Sequence, residues 1–358
     1  MSFTTLDPTD FVVSSDSIVA PAWSSNNPTL QGIDSAAIPV STTITANAFY
    51  LNAYQSNPAT DVNAAIQFSI AYGDSFGSGS KCFNTLVPGV TPSLVTYKQY
   101  KTLVYGPAVT GSQGFNFGGL GSNASTIFAI NIDRNRYKES LFPGTFNLRL
   151  AGPTGTTINL TDNSNDTSVV NYLDCGRVFN IVSGSNGRAT SITPTGATTN
   201  GQTISGSYGF FLPDVGAIIL NAGALQLPAA NGGISLVLDR AATGGTTATP
   251  YSSTNNTNLF NAIDTGYSFQ LNSQETISSN YVFVRIKNAE YNYTSNPTFI
   301  NQASGSLIYP VLINSPQTYV TTVGLYNTNN ELLAVGKMSR PLVKDFTKEA
   351  LVRVKLDW

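Results

Sequence analysis

Apolar and polar residues alternate strictly along the last eight positions of the chain. In Leu351–Trp358, Val352, Val354, Leu356 and Trp358 interleave with Arg353, Lys355 and Asp357. A period of two sends the four apolar groups to one face of a strand and the three charges to the other. Just upstream, Tyr319–Tyr326 (YVTTVGLY) and Glu331–Met338 (ELLAVGKM) flank Asn327-Thr328-Asn329-Asn330. Asparagine tolerates left-handed backbone angles, so the spacing predicts a hairpin with a four-residue turn. Tyr281–Lys287 (YVFVRIK), Ala65–Tyr72 (AIQFSIAY) and Thr126–Ile132 (TIFAINI) read as further strands, and Pro143-Gly144 turns the chain into Phe146–Leu150 (FNLRL). The apolar run Tyr208–Leu225 is broken by Pro213 and glycines into short strands. No long run places apolar residues at i, i+3, i+4 and i+7, the amphipathic-helix signature. Only a short helical fragment is expected, at Lys344–Ala350.

This grammar predicts an all-β chain of two or three β-sandwich or barrel-like domains with long polar loops. Residues 1–60, loose and rich in Ser, Thr, Asn and Pro, read as an extended N-terminal arm that could lie over a neighbour. Residues 61–150 read as a β domain, and 151–280 as a polar, loop-rich β domain. Residues 281–358 read as a hairpin-and-strand region completing a β domain. Ser183–Thr203 is expected as a surface excursion. No repeat of fixed period is visible, which argues against a solenoid or propeller.

Composition sharpens the picture through what it lacks. The 358 residues include no histidine and only 18 basic and 20 acidic side chains, a charged fraction of 11% against about 25% in an ordinary domain. The surface must therefore be built from Ser, Thr, Asn, Gln and Gly. Such a surface repels copies of itself weakly and serves acid–base chemistry poorly. The formal net charge of −2 gives no global attraction for nucleic acid or an anionic membrane. The start of the chain carries neither the basic nor the apolar region of a signal peptide, and no stretch nears the ~20 apolar residues of a membrane span. Cys82 and Cys175 are too few for a disulfide scaffold and read as buried free thiols of a reducing compartment.

Catalytic constellations are correspondingly scarce. Without histidine there is no Ser-His-Asp or Cys-His arrangement and no His-bearing zinc site. The five glutamates, Glu139, Glu275, Glu290, Glu331 and Glu349, read as solvated or paired rather than as a glycosidase dyad, which needs two acids about 5–10 Å apart. Gly119–Ala124 matches G-x-G-x-x-A, but a strand rather than a helix is expected after it, so the dinucleotide reading fails. Asp162-Asn163-Ser164-Asn165-Asp166 alternates oxygen ligands as a calcium loop does. Thr167 and Leu173, however, stand where such a loop needs glycine and glutamate. Sequons at Asn123, Asn159, Asn165, Asn255 and Asn292 are expected by chance in a chain of this composition. No catalytic residue, cofactor or metal is expected.

Basic charge gathers at the end of the chain. Residues 331–358 hold Lys337, Arg340, Lys344, Lys348, Arg353 and Lys355. They read as the solvated face of the last strands or as a docking surface for a neighbouring subunit. A terminal strand can also pair with a sheet edge of another chain. The candidate contact residues are Arg134, Arg136, Tyr137 and Lys138 of RNRYK, with Arg340, Lys344, Lys348, Arg353, Lys355 and Trp358. Exposed aromatics for a glycan-binding alternative would come from Tyr251, Tyr267, Tyr291 and Tyr293.

Several phrases share a likeness: Phe68–Ser80 (FSIAYGDSFGSGS), Phe128–Leu150 (FAINIDRNRYKESLFPGTFNLRL), Val284–Pro297 (VRIKNAEYNYTSNP) and above all Tyr319–Trp358. Together they resemble virion structural proteins of contractile-tailed phages that infect cyanobacteria, over about half of the chain, mainly 65–150 and 280–358. The resemblance implies a non-enzymatic tail or baseplate component, assembled in the host cytoplasm and residing in the virion. It would act as a homo- or hetero-oligomer with other virion proteins, without nucleic acid and without membrane insertion. A host-receptor or polysaccharide-binding module of the tail, or a neck or capsid-associated protein, is the alternative.

Overall fold

The computed structural model describes residues 4–36, 50–77, 92–107, 114–117, 123–190, 193–194, 206–238 and 253–357. It is mostly β, in antiparallel sheets, with a few helices laid against them. The chain divides into two units, one comprising Met1–Ser17 with Thr276–Trp358 (unit 1) and the other Ile18–Glu275 (unit 2). The division falls within β1 (Phe11–Pro21) and again within β17, whose range is given below.

Unit 2 is built on one long sheet. Its strands enter as β2 (Gly32–Ala36), β3 (Tyr50–Tyr54) and β4 (Ile66–Asp74), followed by helix α1 (Ser93–Tyr105) and the paired two-residue strands β5 (Phe115–Asn116) and β6 (Asn123–Ala124). Next come β7 (Thr126–Ile132), β8 (Ser140–Leu141), β9 (Asn147–Ala151), β10 (Thr157–Asp162), β11 (Asn171–Leu173), β12 (Gly176–Ser185) and β13 (Arg188–Ala189). The unit closes with β14 (Gly209–Leu212), β15 (Ala217–Asn221), the short helix α2 (Ala222–Gln226), helix α3 (Ser253–Gly266) and β16 (Ser268–Gln270). Hydrogen bonding runs in the order β16-β9-β10-β12-β14-β15-β7-β4-β3-β2, with β11 and β13 added on β12. The sheet curls over itself. Phe269 on β16, at one end of that order, lies 5.4 Å ring to ring from Phe68 on β4, the eighth strand along it.

The central strands are apolar throughout because both of their faces are covered. Phe128, Ile130 and Ile132 of β7, Ile218 and Leu220 of β15, Phe179 and Ile181 of β12, and Phe211 of β14 point into the main core. Their neighbours in sequence, Ile127, Ala217, Ile219, Val178, Phe210 and Leu212, join a second cluster with Tyr97 and Val104 of α1, Phe115 and Phe117. Each fully buried side chain of this kind is worth about 1.5–3 kcal/mol. Tyr97 pins the second layer. Its hydroxyl donates to Ala124 O at 2.6 Å and accepts from Phe115 N at 3.1 Å, and burial raises its pKa well above the ordinary tyrosine value. Leu259, Phe260, Ala262 and Ile263 bring α3 into the main core.

Two sequence expectations are corrected here. Segments 61–150 and 151–280, read as separate domains, contribute strands to one sheet, with β7 between β4 and β15. Residues 18–36 and 50–54 belong to unit 2 rather than to an arm. The buried Trp23 donates to Phe269 O at 2.5 Å and packs edge-on to the Phe269 ring at 5.2 Å, so the large aromatic early in the chain is an anchor. The strands expected at 65–72, 126–132 and 146–150 are present, and Tyr208–Leu225 divides into β14 and β15, although its last residues, from Ala222, form α2 rather than strand. Gly144, at φ 86°, makes the turn before β9. Of Ser183–Thr203, the first residues extend β12 and form β13. Residues 191–192 and 195–203 lie outside the described residues.

Unit 1 contains β17 (Asn272–Ile286) from Thr276 onward, β18 (Thr318–Tyr326), β19 (Leu332–Lys344) and β20 (Ala350–Asp357). One sheet runs β1-β17-β20, with β17 and β20 antiparallel in the register Val282 to Val354 and Ile286 to Ala350. The hairpin β18–β19 pairs Thr318 with Lys344 and Tyr326 with Leu332. Its connection is Asn327–Glu331, one residue longer than the expected four-residue turn; within it Asn330 takes φ 62° and Asn327 Oδ1 accepts from the amides of Asn329 and Glu331. The helical fragment expected at Lys344–Ala350 is instead a turn. The Asp345 carboxylate accepts from the amide and hydroxyl of Thr347, which favours a tight loop over a helical start.

Candidate interaction surface

Unit 1 is short of core. Its buried apolar side chains among the described residues are Val282, Ile286 and Ile300, whereas its buried polar ones are Asp10, Ser279, Asn292, Thr318 and Lys344. The strand alternation foreseen in the sequence is present in β20, where every second residue from Ala350 to Leu356 is half-buried and the intervening ones are exposed. The apolar face of that strand is thus covered only in part. Gly336 of β19 approaches Val354, with 3.9 Å between the site of a would-be Cβ and the valine methyl. Tyr319, Leu333 and Val335 of the hairpin remain exposed on its other side.

The opposite face of the β1-β17-β20 sheet is polar and cross-linked by charge. Lys355 Nζ lies 3.2 Å from Asp357 and 3.4 Å from Asp16, and Ser279 donates to Asp357 at 2.7 Å. Arg353 and Lys355 both stand over the Tyr281 ring, at 5.4 and 5.8 Å from its centroid. The hydrogen bond to Asp357, aided by Asp16, raises the Lys355 pKa, while those from Ser279 and Lys355 lower that of Asp357. Both groups are therefore charged throughout the physiological range. Nearby, Arg285 pairs with the largely buried Asp10 at 2.6 Å.

The remaining candidate residues fall into different settings. Lys344 is fully buried, and its ammonium donates to Asn288 O, Asn292 Oδ1 and Asp345 O at 2.8–2.9 Å. It holds its own chain together and offers no charge to a neighbour, a correction to its reading as an exposed contact. Lys348 pairs with Asp345 at 3.4 Å across the turn, and Arg340 is exposed on β19. Trp358 lies outside the described residues. In unit 2, RNRYK forms a 3₁₀ turn that folds back on its own chain. Arg134 donates to Tyr137 O at 2.5 Å and stacks over the Tyr137 ring at 4.6 Å. Arg136 reaches Ile66 O and Gln55 Oε1. Tyr137 is buried, also against its reading as a surface contact, with its ring against Gly216, and Lys138 is exposed.

Other sequence signals resolve into structural roles. The fully buried Asp162 accepts from the amides of Gly144 and Ser164, so its carboxylate caps two turns. No cluster of three or more metal-ligating side chains occurs among the described residues. Cys175 is a buried free thiol whose pKa burial raises; Cys82 lies outside the described residues. Asn255 and Asn292, two of the sequon asparagines, are buried. Tyr267 is exposed in unit 2, and Tyr291 and Tyr293 are exposed in unit 1; Tyr251 and Gly119-Leu120-Gly121 lie outside the described residues. The bidentate Arg177–Asp214 pair was not singled out from the sequence, because its partners are 37 residues apart. Burial raises the Asp214 pKa, but the bonds from Arg177 outweigh it and the net shift is downward. No described helix is long and apolar enough to cross a membrane. No family model, curated protein or solved structure matches the chain.

Proposed function

We propose that this chain is a non-enzymatic structural protein of a phage virion, a tail or baseplate component that bridges neighbouring subunits. One observation carries the reading. The stretch with the strongest likeness to virion proteins, 319–358, is also where Leu333, Val335 and Leu351 leave apolar surface uncovered. A well-filled unit 2 would fix position while unit 1 supplies the contact. The low charge of the chain suits this role, because few ions need to be desolvated when subunits close on one another. Partners would be other virion proteins, and the site of residence the virion.

The exposed Tyr267, Tyr293 and Tyr309 favour a second reading, a tail module that binds host polysaccharide or receptor through aromatic stacking. Mass spectrometry of gradient-purified virions, with immunogold labelling against this chain, separates the two. Label confined to the tail end, and masked until the particle is disrupted, supports the bridging role. Accessible label at fibre tips supports adhesion, and label at the capsid or neck moves the protein to another station. If no peptides of the chain are found in the particle, the virion reading fails.

A further inference from the structure

We propose that the loop of unit 1 around Tyr293 and Tyr309 is a carbohydrate-binding surface whose ligand is an uncharged polysaccharide rather than an anionic one. The proposal rests on the second reading above and deepens it by naming the class of glycan. Three observations point to that class.

The first is charge. From Tyr291 to Asn330, forty consecutive residues carry no Lys, Arg, Asp or Glu, the longest such run in the sequence. It fills the loop that follows β17 and the first strand of the hairpin. A glycan bearing uronate or sulfate groups would find no cation of this loop to pair with, and a charge desolvated without a partner is costly. A neutral glycan has no charge to desolvate.

The second is the setting of the tyrosines. The run holds five of the seventeen in the chain, and all five, Tyr291, Tyr293, Tyr309, Tyr319 and Tyr326, are exposed. In unit 2, by contrast, Tyr72, Tyr97, Tyr137 and Tyr208 are buried. Tyrosine offers a large, rigid contact area at small entropic cost, and serine and asparagine add adaptable hydrogen bonding, the pairing of residue types that recognition loops use. A sugar ring asks for both. Its C–H face packs on an aromatic ring, and its hydroxyls need donors and acceptors beside that ring.

The third is local geometry. The Tyr293 ring stands edge-on to Phe299, with 6.4 Å between centroids. Phe299 O accepts from the Ile308 amide at 3.1 Å, and Ile300 bridges to Leu307. The segments that carry Tyr293 and Tyr309 are thus joined through Phe299. Between them, Asn296 and Asn301 set the loop, each Oδ1 accepting from the amide two residues on, that of Thr298 or Ala303. Both asparagines are exposed, and with their oxygens engaged in the turns their Nδ2 groups are donors for sugar hydroxyls. A loop already held by its own turns loses less freedom on binding.

The test is affinity electrophoresis of the full chain through gels that hold dextran, a neutral mannan or alginate, the last as the anionic probe. A neutral glycan should retard the chain and alginate should not. The dissociation constant for the neutral glycan should change less than about twofold between about 0.05 and about 0.5 M NaCl, because no ion pair is there to be screened. Tyr293→Ala and Tyr309→Ala should each weaken binding about fivefold. Tyr293→Phe, which keeps the ring, and Tyr172→Ala, which removes an exposed tyrosine of unit 2, should bind as the natural chain does. The replaced side chains are all exposed, so the fold is kept, which circular dichroism checks. Retardation by alginate alone overturns the proposal and leaves the adhesive reading standing. Retardation in none of the gels overturns it too, and label accessible at fibre tips then decides whether the adhesive reading falls with it. Neutral-glycan binding that both alanine variants leave intact overturns the placement on this loop. Capture of other virion proteins through the same tyrosines, without glycan binding, returns the surface to the bridging role.

Discussion

At the scale of single residues, the sharpest demand in unit 1 is made by Lys344. An ammonium removed from water loses several kcal/mol of hydration, so it persists only when its hydrogen-bond capacity is met. Here all three N–H groups are met by neutral oxygens, from Asn288, Asn292 and Asp345, and the side chain ties the end of β19 to the loop after β17. Lys344→Met preserves the length of the stem but leaves Asn292 Oδ1 without its donor, whereas Asn288 O still accepts from Asn292 Nδ2 and Asp345 O from the Lys348 amide. At about 1–3 kcal/mol for an unsatisfied buried acceptor, the expected loss is about 1–3 kcal/mol, read in denaturant as earlier unfolding of unit 1. Unit 2 should melt unchanged. A variant as stable as the natural chain would mean that water reaches that oxygen and that Lys344 is dispensable. From the sequence this lysine is indistinguishable from its exposed neighbours, because nothing in RPLVKDF marks which way a terminal strand residue faces. Trp23 makes the same point from the other side. It stands in a polar stretch that reads as an arm, yet an aromatic of that size buries itself wherever a partner face exists, and Phe269 supplies one from 246 residues away.

At the scale of elements, local chemistry was legible and long-range pairing was not. The period of two in β20, the strands β7 and β18, and the Asn-rich turn all follow from side-chain alternation and left-handed tolerance within a few residues. That turn allows a direct check. Asn330 at φ 62° sits where glycine is at ease and alanine is strained by about 1 kcal/mol. Asn330→Gly should leave unit 1 stability within a few tenths of a kcal/mol, while Asn330→Ala should lower it by about 1 kcal/mol in a chemical melt. Equal effects of the two would show that the backbone angle does not set the turn. The helices escaped sequence reading for a physical reason. In α3 the residues that enter the core are Leu259, Phe260, Ala262 and Ile263, one compact patch, while the rest are Asn, Thr and Ser with Asp264 and Gly266. In α1, tyrosines and valines give a strand-like composition to a stretch whose buried positions, Ser93, Tyr97 and Val104, follow a helical spacing. Nor does any local pattern show that β7 pairs with both β4 and β15, since β15 lies 85 residues beyond β7.

At the scale of the whole molecule, the two units differ in what holds them. Unit 2 has strands sandwiched between two apolar layers, and β7 and β15 at its centre are buried nearly end to end. Their amides open only with the unit as a whole, so their exchange reports the global unfolding free energy. Unit 1 has Val282, Ile286 and Ile300 as its buried apolar residues among those described. Its hairpin should open locally at little cost unless something covers it. Hydrogen exchange on the full chain tests this directly. The peptides of Thr126–Ile132 and Ala217–Asn221 should exchange slowest. Those of Thr318–Tyr326 and Leu332–Lys344 should exchange at least tenfold faster, because the hairpin strands are exposed or half-buried along most of their length whereas the central strands of unit 2 are buried. Equal protection of the two sets would mean that hydrogen bonding along the hairpin holds unit 1 as firmly as the apolar layers hold unit 2.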